Sequence, residues 1–178
     1  MAFGKFFLAG LLTAVFPGAD VDETFSPFIG TFENTTAQAK DGGQLRRVAR
    51  VIDGDTIVLS PNEKVRLIGV DTPETVHPQK PVECFGKAAR EFTRRAVDGK
   101  KVRIEFDGAN TPRQHKDRYG RTLVYLYTED GSLLNAELIQ RGYAHAYTRF
   151  AFRYIVEFRD MERQARSRNV GLWSNCGG

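Results

Sequence analysis

The spacing of five short segments rich in Val, Ile and Leu constrains the fold of this chain more than any other feature. Side chains of this type favour β-strands, and each segment is bounded by residues that favour turns, among them Gly54, Pro61 and Gly120. The segments are too short to be helices of ordinary length. We therefore predict five strands, at residues 48–52, 56–59, 64–70, 102–106 and 122–127.

Three helices are predicted from apolar residues that recur at intervals of three and four. The first lies between the third and fourth strands and ends near Gly99, the second covers residues 133–141, and the third ends before Gly171. Five strands with a helix after the third is the order of an OB-fold barrel. We predict an α+β fold, a five-stranded OB-fold β-barrel with three helices. The apolar positions that define the first and third helices are Phe85, Ala89, Phe92, Ala96, Tyr154, Phe158, Met161 and Ala165.

Charge is distributed unevenly along the chain. Residues 1–45 contain two basic and five acidic side chains. Residues 46–178 therefore hold 24 of the 26 Lys and Arg residues but 17 of the 22 acidic residues, a net charge of +7. A basic domain attracts polyanions over long distances, and nucleic acid is the commonest such partner. On charge alone, a solvated basic surface that binds no partner is an equally good interpretation.

The N-terminal 45 residues differ in composition from the rest. Lys5 precedes an apolar run, residues 6–16, which has the length of a signal-peptide core and is short for a membrane span. We predict a signal peptide at 1–19, with an uncleaved anchor as the alternative, an acidic flexible tether at 20–45, and a folded domain at 46–178. The expected location is secreted or periplasmic, or at a membrane if the N-terminal segment stays attached.

Two arginines and several carboxylates form the most informative set of polar residues. Arg66 is followed by segment 71–74, which reads Asp-Thr-Pro-Glu. Arg121 closes segment 117–121, Asp-Arg-Tyr-Gly-Arg, and segment 53–56 reads Asp-Gly-Asp-Thr. Two arginines can grip a phosphate through forked donors while carboxylates hold a hard cation. This combination suits the hydrolysis of a phosphodiester.

The same motifs, in the same order, resemble those of the staphylococcal nuclease (thermonuclease) family. The resemblance runs from about residue 47 to residue 173. It implies the OB-fold barrel with three helices that the pattern of strands and helices also predicts. It further implies a calcium-dependent nuclease that hydrolyses DNA and RNA with little sequence preference and leaves 3′-phosphate ends.

The resemblance gives roles in catalysis and metal binding to particular residues. Arg66 and Arg121 would clamp the phosphate and bind it more strongly as charge develops in the transition state. Glu74 would be the general base that takes a proton from the attacking water, or in a milder role would position that water. The implied calcium ligands are the side chains of Asp55 and Asp71 and the backbone carbonyl of Thr72.

Three further residues match family positions that contact the substrate. Arg118 and Tyr119 match positions near a substrate phosphate, although the family commonly has lysine at the first. Tyr147 resembles a family tyrosine near the bound base, where an aromatic ring could stack. A core position for Tyr147 is an equally good interpretation, because the aromatic spacing there departs from the family pattern.

Cys84 and Cys176 are the only two cysteines. An even pair in an exported chain permits one disulfide, which would join the start of the first helix to the end of the chain. Two free thiols are the alternative. Neither cysteine has the spacing of a metal ligand.

Single-stranded DNA and RNA are the expected partners, because a flexible strand reaches a cleft more easily than a stiff duplex does. We expect a monomer without a stable protein partner. The alternative function is a catalytically inactive OB-fold module that binds nucleic acid or a protein. Such modules usually lack part of the arginine and carboxylate set, whereas this sequence contains all of it.

Overall fold

The structure of the chain, a computed structural model, describes residues 43–76, 79 and 81–176. The predicted signal peptide and most of the predicted tether lie outside the described residues. The first strand begins at Gln44, so residues 44 and 45, which we assigned to the tether, pair within the barrel.

Seven strands and four α-helices occur within the described part of the chain. In chain order they are β1 (Gln44–Asp53), β2 (Thr56–Leu59), β3 (Glu63–Leu67), β4 (Val70–Asp71), α1 (Gly86–Val97), β5 (Lys101–Glu105), β6 (Thr122–Tyr127), α2 (Leu134–Gln140), β7 (His145–Ala146), α3 (Ile155–Ser167) and α4 (Leu172–Asn175). The five longer strands correspond to the five predicted ones, and α1, α2 and α3 correspond to the three predicted helices.

The five longer strands close a barrel in the order β1-β2-β3-β6-β5. Neighbouring strands are antiparallel, except that β3 and β6 run parallel. The N-terminal part of β1 pairs with β5 and its C-terminal part pairs with β2, and the pairing with β2 contains two register shifts. With α1 between the third and fourth barrel strands, the predicted OB-fold is confirmed.

Aliphatic side chains that alternate along the strands fill the barrel. In β3, Val65 and Leu67 are buried, whereas Lys64 is exposed and Arg66 is partly exposed. Phe158 of α3 belongs to the same core cluster, which also includes the buried apolar residues of α2. Each fully buried side chain of this size stabilises the fold by about 1.5–3 kcal/mol.

A turn interrupts the third predicted strand, residues 64–70. Gly69 has a φ of 72°, and a Cβ atom at this position would lie 2.7 Å from the ring of Phe152. The chain therefore turns after Leu67, and the following residues form the separate strand β4, which pairs with β7. Ile68, which lies in this turn, is apolar and buried like a strand residue. The apolar pattern of the sequence therefore did not reveal where the strand ends.

Two short helical elements were not predicted. They are α4 and a 3₁₀ helix, Gly108–Arg113, in the loop between β5 and β6. Elements of four and six residues contain too few positions to show a helical period. None of the helices in the described ranges combines the length and the apolar character that crossing a membrane requires.

Candidate active site

Three polar segments meet where β2, β3 and β6 lie side by side. The strand register places Thr56 of β2 opposite Arg66 of β3, and Arg66 opposite Leu123 of β6. Arg121 immediately precedes β6, and its Nη1 donates a hydrogen bond to Oγ1 of Thr56 at 3.2 Å. The two arginines, 55 positions apart in the sequence, are therefore brought together by the barrel itself.

The guanidinium of Arg66 lies between two carboxylates. Its Nη1 forms an ion pair with Asp55, and its Nη2 donates to Asp71 at 2.9 Å and to the carbonyl of Val70 at 3.0 Å. Only 18% of the Arg66 side chain is exposed. Burial lowers the pKa of Arg66, and the nearby charge of Arg121 lowers it further, but an arginine stays protonated at neutral pH. The site therefore contains a fixed, partly desolvated cation.

Asp55 is buried and holds the segment that follows β4. One of its oxygens, Oδ2, accepts hydrogen bonds from both the backbone N–H and the hydroxyl of Thr72, each at 3.0 Å. The other oxygen, Oδ1, accepts from the hydroxyl of Thr56 at 3.0 Å. A Cβ atom at Gly54 would lie 2.7 Å from the Thr72 side chain, so the tight turn between β1 and β2 depends on this glycine.

Asp117 positions Arg121. Oδ2 of Asp117 accepts from Nε of Arg121 at 2.7 Å, and Oδ1 accepts from the backbone N–H groups of Tyr119 and Arg121, both at 2.9 Å. The ring of Tyr119 lies 4.8 Å from the guanidinium carbon of Arg118 and 5.4 Å from that of Arg121. The predicted substrate residues Arg118 and Tyr119 thus surround the second arginine of the site.

Glu74 is partly exposed and hydrogen-bonded on several sides. Its Oε1 accepts from the backbone N–H of Val76 at 2.8 Å, and its own N–H donates to Oε2 of Glu83 at 3.0 Å. Its carboxyl group also hydrogen-bonds to the carboxyl group of Asp53. Burial raises the pKa of Asp53 above its usual value, hydrogen bonds from Thr75 oppose the shift, and Glu74 reinforces it. The side chains of Asp53 and Glu74 are therefore in direct contact.

A cleft of about 450 Å³ opens beside these residues. Five arginines and two aspartates line it, so it carries a net positive charge. Asp55, Thr72 and Glu74 do not line the cleft; Asp55 and Thr72 are buried, and Glu74 is partly exposed. The predicted site residues that do line it are Arg66, Asp71, Arg118, Tyr119, Arg121 and Tyr147.

The predicted calcium ligands supply the oxygen chemistry that a hard cation prefers. The carboxylates of Asp55 and Asp71 contact the two terminal nitrogens of Arg66, so the two negative charges lie close together. The N–H of Thr72 donates to Asp55, which places Thr72 beside them. Among the described residues, no group of three or more Asp, Glu, His or Cys side chains could hold a metal ion. Calcium takes six to eight oxygen ligands, so these residues fit the ion as part of a shell completed by water and a phosphate.

Cys84 and Cys176 form a disulfide, with their Cα atoms 5.8 Å apart. The bond joins the segment before α1 to the residue after α4. The residue before Cys84 is Glu83, which exchanges hydrogen bonds with Glu74. The disulfide therefore anchors one end of the loop that carries Glu74.

Three residues of the site were given no role from the sequence: Asp53, Thr56 and Asp117. The role of Asp117 could have been predicted, because an Asp followed three residues later by a glycine, here Gly120, is typical of a turn. In such a turn the Asp side chain accepts the N–H of the residue two positions on, as Asp117 does from Tyr119. The contact of Asp53 with Glu74 had no such signal, because it joins residues from different segments of the chain.

Comparisons with known proteins agree with this geometry. Residues 64–175 match the family model described as staphylococcal nuclease homologue. The chain is 42% identical over 136 residues to the thermonuclease of Staphylococcus hyicus, which covers 74% of this chain and 77% of that protein. It is 38% identical over 150 residues to the thermonuclease of Staphylococcus intermedius, which covers 81% and 83% respectively. It is also 36% identical over 133 residues to endonuclease YncB of Bacillus subtilis, which covers 72% of this chain and 61% of that protein. The chain therefore belongs to the staphylococcal nuclease family, and it is a phosphodiester-hydrolysing nuclease.

Proposed function

We propose that this nuclease cleaves single-stranded or unwound DNA and RNA with little sequence preference, uses a calcium ion and leaves 3′-phosphate ends. One observation supports the proposal more than any other. Arg66 contacts the carboxylates of Asp55 and Asp71 at a cleft that Arg121 also lines, so phosphate-binding and cation-binding groups lie side by side.

Arg66 and Arg121 are the proposed phosphate clamp. Both guanidinium groups are partly buried, which reduces their screening by solvent. One unit-charge contact near 4 Å is worth roughly 4 kcal/mol at an effective dielectric constant of 20. Because the transition state at phosphorus carries more charge than the substrate, such contacts strengthen as the reaction proceeds.

Glu74 is the proposed general base, with positioning of the attacking water as the alternative role. The water oxygen forms a bond to phosphorus while the bond from phosphorus to the 5′ oxygen breaks. The water gives up a proton toward Glu74, and the departing 5′ oxygen takes a proton from solvent. The products are a 3′-phosphate and a 5′-hydroxyl.

Asp55, Asp71 and the carbonyl of Thr72 are the proposed residues that would hold calcium. When bound, the ion would stabilise negative charge on the reacting phosphate. The protein itself supplies the fixed positions of these oxygens, because Asp55 is held by Thr72 and both carboxylates are held by Arg66.

The expected lack of sequence preference follows from the kind of contact available. Arginine contacts to phosphate carry no sequence information, and stacking on Tyr119 or Tyr147 is possible for any base. Both tyrosines line the cleft with Arg118, whose charge suits a second phosphate. A flexible single strand can bring its phosphates and bases into such a cleft together.

Export of the protein, as a secreted or periplasmic monomer without a stable protein partner, is part of the proposal. The disulfide supports this location, because such bonds persist in oxidising compartments. The nuclease domain, predicted at residues 46–178 and extended to residue 44 by the first strand, would then follow the signal peptide and tether. An uncleaved N-terminal anchor is the alternative.

Incubation of the full chain with end-labelled single-stranded DNA in calcium, in magnesium and in chelator tests the function. We expect cleavage in calcium that chelator abolishes. The new 3′ ends should resist extension by a polymerase until a phosphatase removes their phosphate. Cleavage that survives chelation, or new ends that are extended without phosphatase, would contradict the proposed reaction. Binding without cleavage in all three conditions would favour the inactive OB-fold module.

A further inference from the structure

A second group of aromatic and basic side chains lines the cleft beside the proposed clamp. Phe150 is 54% exposed although it is a large apolar residue. The guanidinium carbon of Arg113 lies 5.3 Å from the centre of its ring, and the ring of Tyr147 lies 6.0 Å away. All three line the cleft, and we call them the Phe150 group. The resemblance to the family assigns no role to Phe150 or Arg113.

The backbone on both sides of Phe150 is held in place. The N–H of Tyr147 donates to the carbonyl of Gly69 at 3.0 Å. Phe152 is buried in the core, and the N–H of Arg153 donates to Oδ2 of Asp107 at 2.7 Å. An exposed aromatic ring on an anchored segment is a preformed contact surface, since little conformational entropy remains to be lost when a ligand stacks on it.

The same buried aspartate fixes the element that carries Arg113. Oδ1 of Asp107 accepts the N–H of Ala109 at 2.9 Å and so caps the 3₁₀ helix Gly108–Arg113 at its start. Tyr125 donates its hydroxyl hydrogen to the other oxygen, Oδ2. The two members of the Phe150 group that come from different loops, Arg113 and Phe150, are thus positioned by one carboxylate.

The charge on this side of the cleft is not compensated. Within the described ranges, Arg113 and Arg149 form no ion pair with a carboxylate, whereas Arg66 and Arg121 each do. Both unpaired arginines are exposed and line the cleft. Guanidinium groups without a carboxylate partner are available to a phosphate.

The arrangement repeats that around Tyr119, where another exposed aromatic ring lies beside arginines in the same cleft. We propose that the Phe150 group, with Arg149, is a second nucleotide subsite, which binds an unpaired nucleotide beyond the two that flank the attacked phosphate. Phe150 stacks on its base, and Arg113 and Arg149 bind its phosphate. This inference rests on the proposed nuclease function and adds a substrate-length preference to it.

Steady-state cleavage of two substrates by the full chain tests the subsite: a thymidine dinucleotide and a thymidine oligonucleotide of about eight residues. We expect Phe150→Ala to raise KM for the longer substrate about tenfold, with kcat little changed and with no effect on the dinucleotide. Phe150→Tyr should restore the wild-type KM because it keeps a ring that can stack. Arg113→Gln should lower the salt dependence of binding by about one counterion.

Val156→Ala is the matched control, since Val156 is a 65% exposed apolar residue of α3 that does not line the cleft. This variant should have the wild-type kcat and KM on both substrates. Equal loss on both substrates for Phe150→Ala would contradict a separate subsite, because Phe150 would then act at the reacting nucleotide. No change with either substrate would contradict it as well.

Fluorescence anisotropy of the labelled longer oligonucleotide in chelator separates this inference from the proposed function. If the wild type does not cleave in the calcium assay but Phe150→Ala still weakens binding in chelator about tenfold, the subsite is supported and the nuclease proposal fails. If the wild type cleaves and Phe150→Ala binds and cleaves as well as it does, the subsite fails and the nuclease proposal stands.

Discussion

Asp117 shows how one carboxylate can orient an arginine of the proposed site. It accepts the Nε hydrogen of Arg121 with one oxygen and two backbone N–H groups with the other, so side chain and loop are held together. The charge of Asp117 orients the guanidinium without occupying its terminal nitrogens, and one of these, Nη1, donates to Thr56. Arg121 therefore reaches the cleft already oriented.

Replacing Asp117 by Asn should lower kcat/KM on single-stranded DNA about tenfold, because a hydrogen bond to a charged group is worth about 1.5–3 kcal/mol. The amide keeps the acceptor for the backbone but loses the ion pair that orients Arg121. Glu91→Gln is the matched control: Glu91 forms a similar ion pair with Arg94 on the exposed face of α1, also at 2.7 Å. In steady-state kinetics, kcat/KM of Asp117→Asn should be clearly lower than that of Glu91→Gln. Equal values for the two variants would refute the orienting role of Asp117.

The arginines and carboxylates of the candidate site could be named from the sequence, but several of their hydrogen-bond partners could not. Arg66 and Arg121 stood out because few other functions need two arginines beside a set of carboxylates. Their partners depend on segments that meet only in the folded chain. The carboxyl contact between Asp53 and Glu74 joins two such segments, and no local pattern encodes it.

Asp107, two residues after the end of β5, connects three elements of the fold. It caps the 3₁₀ helix through Ala109, accepts the hydroxyl hydrogen of Tyr125 in β6, and accepts the N–H of Arg153 before α3. Burial alone would raise the pKa of Asp107, but these hydrogen bonds outweigh it and hold the pKa below its usual value. The loops of the Phe150 group depend on this connection.

Because the folded-state pKa of Asp107 is lowered, its contribution to stability is present above the unfolded pKa and is lost as the pH falls through the folded pKa. Asp107→Asn should therefore lower the free energy of unfolding by about 1–3 kcal/mol at about pH 7. The difference from wild type should shrink at about pH 3. Urea unfolding of both proteins at both pH values measures this difference in unfolding free energy. A difference that does not depend on pH would mean that the charge of Asp107 does not contribute to stability.

The longer elements were predictable because each contains enough residues to show its period. β6 occupies the predicted residues 122–127, and the other four barrel strands start and end within a few residues of their predicted positions. The two-residue strands β4 and β7 and the four-residue helix α4 are too short for any pattern. The strands β4 and β7 form because Gly69 turns the chain after β3 and lets β4 pair with β7.

The part of the chain that the structure describes is built around a barrel, and its disulfide lies outside the barrel strands. The disulfide joins residues 92 positions apart and ties the chain end to the segment that leads into α1. Closing a loop of this length restricts the unfolded chain and stabilises the folded one by roughly 2–5 kcal/mol. The same bond anchors the loop of Glu74, so one feature serves both the stability of the fold and the position of the proposed base.

The cleavage rate of Arg121→Ala on single-stranded DNA in calcium, measured beside its unfolding free energy, is the most direct test of the proposed site. Removal of one preorganised charge donor should lower kcat about 100-fold to 1,000-fold while the protein stays folded. Arg90→Ala, which removes an exposed arginine of α1 outside the cleft, should cleave at the wild-type rate. If folded Arg121→Ala cleaves as fast as Arg90→Ala, the phosphate is bound elsewhere and the proposed clamp is wrong.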